Sequence, residues 1–180
     1  MPLTRRKAWG FVGAYVFLVY TGLYFTPFIG HYLSERNVLG FFIGWTYALS
    51  GLFLVCFFYF KLKIRKAEAY GLLLGLGILC QGAIQRMEET LDRLHFLEYG
   101  LLYLLVYLAF RFSSDGIVLI GRAILLCSLF ALADEGLQGL LPNRMAEWHD
   151  ILINISACYL AAGVVAVACK YRDLHDGKKR

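Results

Sequence analysis

The sequence is poor in charged residues. Only 17% of its 180 residues are Asp, Glu, Lys or Arg, whereas soluble proteins carry about 25%. Hydrophobic residues make up 59% of the chain, and its mean hydropathy is +0.60. Because a domain of this length leaves much of its surface exposed, the apolar excess excludes a water-soluble enzyme and a disordered chain. Lipid is the natural solvent for such a surface.

The cysteines form no CxxC pair, so the sequence indicates neither a zinc knuckle nor a redox dithiol. All five lie inside apolar runs: Cys56, Cys80, Cys127, Cys158 and Cys169. Prolines are also rare, and Pro27 is expected at the end of the first helix. The net charge of +5 comes from basic residues between apolar runs, so we expect no nucleic-acid partner.

The apolar runs predict an all-α, polytopic membrane bundle of about six helices in one domain, residues 1–180. A spanning helix needs about 20 mostly apolar residues. Three runs have no charged residue: 8–28, 39–60 and 151–169. A fourth, 69–85, is glycine-rich, with Gly71 and Gly75 at a spacing that permits close helix contact. The runs 95–112 and 116–138 carry ionisable residues, and such residues in membrane helices often mark functional sites.

The basic residues predict the orientation of the helices. Thirteen of the 18 Lys and Arg residues fall on one side of a six-helix topology: Arg5, Arg6, Lys7, Lys61, Lys63, Arg65, Lys66, Arg111, Lys170, Arg172, Lys178, Lys179 and Arg180. Since positively charged loops stay in the cytoplasm, both termini are expected there. We therefore expect a multi-pass membrane protein with most of its acidic residues on the outer side.

Polar residues gather at the outer ends of the last three helices. Glu88, Asp92, His95 and Tyr99 fall within about 60° of one another on a helix. Asp134 shares a face with Gln138, with Glu135 beside them, and Asp150 shares a face with Asn154. The loop between the last two helices supplies Arg144 and Trp148. The pattern predicts one shared polar site at this face of the membrane.

The same residues resemble the VanZ-like family of bacterial membrane proteins. The matching runs are His95-Phe96-Leu97-Glu98-Tyr99, Asp134-Glu135-Gly136-Leu137-Gln138, Pro142-Asn143-Arg144 and Asp150-Ile151-Leu152-Ile153-Asn154. The resemblance covers about residues 90–165. It implies a protein of a bacterial inner or plasma membrane. It also implies a role in the cell envelope, linked to glycopeptide tolerance, because the family is named for a teicoplanin-resistance protein. Two positions depart from its pattern: Leu137, where the family often has His, and Ala157, where a glycine is expected.

Three functions fit these residues. We favour a binding or accessory protein for a membrane lipid or a lipid-linked envelope ligand, which Arg144, Gln138, Asp150 and Asn154 would hold. The alternative is a membrane-embedded hydrolase or transferase. Its catalytic residues would be Asp134, Glu135, Glu98 and His95, because neighbouring carboxylates can divide the roles of general acid and base. No cofactor or oligomeric state follows from the sequence.

A metal-dependent enzyme would use His95, Glu98, Asp134, Glu135, Asp150 and His149, since mixed histidine and carboxylate ligands suit transition metals. We assign no metal site from the sequence, because the family's usual histidine is absent at Leu137. The third function is structural. In that interpretation Arg144 pairs with Glu98 or Asp134, while Asp150 and Asn154 cap the sixth helix.

Overall fold

The computed structural model describes residues 3–87, 90, 92–141 and 147–175, without the side chains of 27 and 173–175. These residues are helical or irregular, with no strand among them. The long helices are Arg5–Glu35 (α1), Leu39–Cys56 (α2), Ala67–Ile84 (α3), Asp92–Phe110 (α4), Gly116–Gln138 (α5) and Trp148–His175 (α6), and a π-helix at Phe57–Lys61 continues α2. Six helices are long and apolar enough to cross a membrane. The all-α, six-span prediction is confirmed.

Helix α4 is the centre of the bundle and packs against α1, α5 and α6. Its buried face is Phe96, Tyr99, Leu102, Tyr103, Val106 and Ala109. The facing positions of α5 and α6 are small: Ala123, Cys127, Ala131, Ala157, Cys158 and Ala162. Small residues let membrane helices approach closely, and the close contact supplies the packing energy that the hydrophobic effect cannot supply in lipid.

Contacts between helix ends show how the chain runs. The Trp9 and Phe110 rings lie 5.0 Å apart, so α1 starts where α4 ends. The Tyr171 hydroxyl lies 3.1 Å from Glu68 Oε2, so α3 starts where α6 ends. Helices α4 and α6 begin at the opposite end, where α5 finishes. We call this the polar end, since its buried side chains include His95, Asp134, Glu135, Gln138, Asp150 and Asn154.

One local expectation is wrong. Helix α1 does not stop near Pro27 but continues to Glu35. It therefore includes His31, whose Nδ1 lies 3.5 Å from Glu35 Oε1. The spacing of Gly71 and Gly75 permits a close helix contact, but no contact of this kind is found among the described residues: a Cβ on either glycine would meet none of their atoms within 4 Å. Helix α3 instead contacts α6, where Leu76 lies against Gly163.

The six-span topology predicts that Lys66 and Glu147, both exposed, lie on opposite sides of the membrane, because α3, α4 and α5 separate them. In Glu147→Cys, a membrane-impermeant maleimide should label intact cells. In Lys66→Cys it should label only permeabilised cells. The unmodified chain, whose cysteines all lie within the helices, measures background labelling. Labelling of both variants from one side would contradict the topology.

The α3–α6 contact predicts that Gly163→Leu destabilises the protein by about 1–3 kcal/mol, the usual cost of overpacking. A Cβ at Gly163 would lie 3.0 Å from Leu76 Cδ2. Gly75→Leu is the matched control, because both changes gain the same helix propensity and only Gly163 meets a neighbour. The measurement is the midpoint of thermal unfolding in detergent. A lower midpoint for Gly75→Leu than for Gly163→Leu would contradict the packing described.

Candidate functional site

The polar end contains six polar or ionisable side chains that are each no more than 8% exposed: His95, Asp134, Glu135, Gln138, Asp150 and Asn154. They come from the start of α4, the end of α5 and the start of α6. Ionisable groups inside a helical membrane bundle are costly to desolvate and usually lie at functional sites. All six were among the sequence-predicted site residues.

The first group in the polar end joins α4 to α6. Asp92, His95 and Asp150 each place one ligand-type atom within 4.8 Å of the others. Glu98 adds a fourth side chain, with its Oε2 lying 3.5 Å from His95 Nδ1. Asp92, His95 and Glu98 are successive i, i+3 positions, so one face of α4 presents all three. Two carboxylates and an imidazole from two helices thus converge, with a third carboxylate beside them.

Asp134 is in a second group, between α5 and α4. The Tyr99 hydroxyl donates a hydrogen bond to Asp134 Oδ2 at 3.0 Å, and both side chains are fully buried. The hydroxyl of Tyr20, on α1, donates to the Phe130 carbonyl one turn earlier in α5. Asp134 therefore lies in an environment that excludes water, where each hydrogen bond to its carboxylate is stronger than it would be in water.

Glu135 faces a different partner from its neighbour Asp134. Its Oε1 accepts a hydrogen bond from Gln138 Nε2 at 3.0 Å. Its Oε2 accepts one from the backbone N–H of Glu147 at 3.1 Å, just before α6. These two bonds connect the end of α5 to the start of α6. Asp134 and Glu135 are adjacent in sequence, but they accept these hydrogen bonds from different residues.

Asn154 is fully buried, yet neither of its amide atoms hydrogen-bonds to any described residue. It lies one turn after Asp150 and one turn before Cys158, whose Sγ is 3.8 Å from the Tyr99 carbonyl oxygen of α4. Both neighbours on this face of α6 approach α4, so Asn154 lies against α4 between them. Asn154 is the seventh residue of α6, so the interpretation as a helix cap is wrong for it.

Three remaining positions bear on the family pattern. Arg144, the predicted anion-binding residue, lies outside the described residues. Leu137, which replaces the usual histidine, is 40% exposed, whereas the adjacent Gln138 is 1% exposed. The departure therefore falls on the outside of α5 and leaves the buried polar groups unchanged. Ala157 is buried and packs in the main core.

A groove on α1 leads along the bundle surface to Glu98. It has a volume of about 370 Å³ and is lined mainly by apolar or aromatic side chains, among them Tyr15, Leu18, Val19 and Phe25. A cavity of about 20 Å³ lies next to it, lined by Val19, Leu23, Thr26, Asp92, Leu94, His95 and Glu98. The groove and the cavity thus connect the apolar outer surface of α1 with the edge of the polar end.

Three tyrosines that the sequence pattern did not indicate as site residues attach α1 and α2 to the site helices. Tyr15 donates to the Glu98 carbonyl, Tyr20 to the Phe130 carbonyl, and Tyr47 to the Arg93 carbonyl. Each hydroxyl donates its hydrogen bond to a backbone carbonyl oxygen, which has two lone pairs and can accept a second bond besides the one within its helix. The sequence signal for these contacts is a Tyr within an apolar run where a Phe would serve. A hydroxyl group in lipid needs a hydrogen-bond partner, so such a Tyr indicates a contact with another helix.

The Tyr99–Asp134 hydrogen bond predicts that Tyr99→Phe destabilises the protein by about 1–2 kcal/mol, because a buried carboxylate loses a donor. Tyr103→Phe is the matched control. Its hydroxyl is also fully buried, one turn further along α4, but has no hydrogen-bond partner among the described residues. Unfolding midpoints in detergent should fall for Tyr99→Phe and stay level or rise for Tyr103→Phe. The reverse order would contradict the assigned bond.

Comparison with known proteins identifies the family. No match to the chain was found among curated proteins or among solved structures. A family model described as VanZ/LLP1 matches residues 11–169. The match extends beyond residues 90–165, where the motifs lie, and includes the helices that carry Tyr15, Tyr20 and Tyr47. The chain therefore belongs to the VanZ/LLP1 family, and its fold is that of a multi-pass membrane protein.

Proposed function

We propose that this protein binds the polar head of a membrane lipid or lipid-linked envelope precursor at the outer face of the bacterial cell membrane. The polar end is the binding site, and Asp134, Glu135, Gln138, Asp150 and Asn154 are its ligand-facing residues, with His95 and Glu98 at the side facing α1. Arg144, on the loop that follows α5, is proposed to contact an anionic part of the ligand.

The burial of Asn154 carries this proposal. A fully buried amide without a partner among the described residues costs free energy that an apolar residue of similar size would avoid. Apolar residues would also hold the three helices together with less desolvation than His95, Asp134 and Asp150 require. A ligand that hydrogen-bonds to these groups accounts for their presence.

The groove on α1 supports a lipid as the ligand. Phe17, Leu18 and Phe25 line it and are all more than half exposed, so an acyl or isoprenoid chain would contact surface that already faces lipid. The groove reaches Glu98, where the polar side chains begin. A chain lying along α1 would therefore place its head beside His95 and Asp92.

The distribution of charge supports the outward orientation. Lys61, Lys63, Arg65 and Lys66 lie between α2 and α3, at the end away from the polar end. Clusters of this kind stay on the cytoplasmic side. With family membership, an outward site supports a role in the envelope, including tolerance to glycopeptides such as teicoplanin.

A membrane-embedded hydrolase or transferase is the second candidate. The observation in its favour is the His95–Glu98 pair, an imidazole 3.5 Å from a carboxylate, at the point where the groove meets the polar end. A carboxylate that orients an imidazole is a common arrangement for a general base. In this candidate His95 would transfer the proton, and Glu98 would orient the His95 ring. Asp134 and Glu135 would act on the leaving group.

Native mass spectrometry of the protein in nanodiscs made from bacterial lipids tests both candidates. Asp134→Asn keeps the shape of the side chain but removes its charge. If the protein binds a ligand, wild type should retain a discrete lipid-derived mass, and Asp134→Asn should retain about tenfold less, equivalent to about 1.4 kcal/mol. Asp115→Asn is the control, since Asp115 is exposed at the opposite end of α5.

The identity of the retained mass separates the candidates. One species, weakened only in Asp134→Asn, supports binding. A substrate that accumulates in Asp134→Asn, where wild type holds its product, supports the enzyme. Equal retention in wild type and both variants, or a loss as large in Asp115→Asn, would contradict the site.

A further inference from the structure

We propose that Asp92, His95 and Asp150 bind one divalent transition-metal ion, of the zinc class, between the starts of α4 and α6. The sequence assigned no metal, and Asp92 was not among its candidate ligands. The proposal rests on the three side chains that the fold brings together. It does not depend on the proposed lipid ligand.

The distances suit a metal site. The three ligand-type atoms lie within 4.8 Å of one another, so a point between them is at most about 2.8 Å from each, compared with about 2.0–2.2 Å in zinc sites. Small side-chain rotations close that difference. One imidazole with two carboxylates is a ligand set that zinc accepts, and three protein ligands leave a position for water or substrate.

Glu98 takes the place of an outer carboxylate. Its Oε2 lies 3.5 Å from Nδ1 of His95, so Glu98 would orient the ring from one nitrogen while the other binds the metal. Histidines that bind metals usually direct their second nitrogen to a carboxylate or carbonyl, which fixes the ring and makes it a better donor. Glu98 is one i+3 step after His95 on α4, just as Asp92 is one step before it, so the helix positions all three groups.

Two observations beside the cluster point to a bound species. The buried amide of Asn154, without a hydrogen-bond partner among the described residues, lies one turn below Asp150 on the face that packs on α4. The cavity of about 20 Å³ touches both Asp92 and His95, and a volume of about 10–15 Å³ is enough for one water molecule. A metal-bound water would occupy this space.

A bound cation also changes the charge of the polar end. Two carboxylates there would be neutralised, and a metal with an open position attracts phosphate or carboxylate oxygens. The acidic polar end would then accept an anionic lipid head. Only this consequence rests on the proposed function, since metal binding itself is measured without lipid ligand.

The test is isothermal titration of ZnCl₂ into the full chain in detergent, after removal of the purification tag and of metal by a chelator. Wild type should bind one Zn²⁺ per chain with high affinity. Asp92→Asn, His95→Gln and Asp150→Asn should each weaken binding by more than about tenfold, and Glu98→Gln by about tenfold. Asp92 is the least buried of the ligands, so its variant is the one least expected to unfold.

His31→Gln is the matched control. His31 also has its Nδ1 3.5 Å from a glutamate, Glu35, but both side chains are largely exposed. Its affinity for Zn²⁺ should equal that of wild type. A second measurement covers variants that fold poorly: Zn²⁺ should raise the unfolding midpoint of wild type and His31→Gln, but not that of Asp92→Asn.

The outcomes are separable. Absence of a tight Zn²⁺ site, loss of that site in His31→Gln, or retention of full affinity in Asp92→Asn and Asp150→Asn would overturn the metal site. Tighter binding of Mg²⁺ than of Zn²⁺ would overturn ligation by His95. Retention of the lipid mass in metal-free protein would leave the proposed ligand site standing, so the two proposals fail independently.

Discussion

The structure depends on the cost of burying polar side chains inside a bundle that lipid surrounds. Lipid gives an unsatisfied donor or acceptor no partner, so each polar group must find one within the protein or in a ligand. In this protein such groups are concentrated at one end, between α4, α5 and α6. The Tyr99–Asp134 bond and the two bonds of Glu135 show how the protein provides partners for Asp134, Glu135 and Gln138.

The arrangement of the helices follows from that constraint. Helix α4 is central because it carries Asp92, His95, Glu98 and Tyr99 on faces that need three different neighbours. Helices α5 and α6 approach it closely through Ala131, Cys127 and Ala157, all buried. Helix α1 contributes the Tyr15 and Tyr20 hydroxyls, which bind the α4 and α5 backbones, together with an apolar groove that ends at Glu98. Helices α4, α5 and α6 thus hold the polar groups, and the groove on α1 leads to them from the surface that faces lipid.

Much of this could be predicted from the sequence, because membrane spans and charge sorting are strong one-dimensional signals. The run 116–138 corresponds to α5 residue for residue, and all the described site residues except Glu98 proved buried. Which group partners which could not be predicted. Asp134 accepts a hydrogen bond from α4, whereas the adjacent Glu135 accepts one from the backbone just before α6. Asp92 gains its importance only from Asp150, 58 positions later. The length of α1 was also underestimated. A proline is tolerated within a membrane helix when the turns on either side of it remain helical, as they do around Pro27.

The central claim is that Asn154 is at the polar end to bind a ligand and not to stabilise the bundle, and replacing this residue tests the claim most directly. The measurement is the thermal unfolding midpoint of Asn154→Leu against wild type, both in lipid-free detergent. The two side chains are close in shape, and the change removes two buried amide atoms that have no partner among the described residues. Our account predicts a midpoint equal to or above that of wild type. A midpoint lower by several degrees would show that Asn154 stabilises the bundle, and would contradict the account.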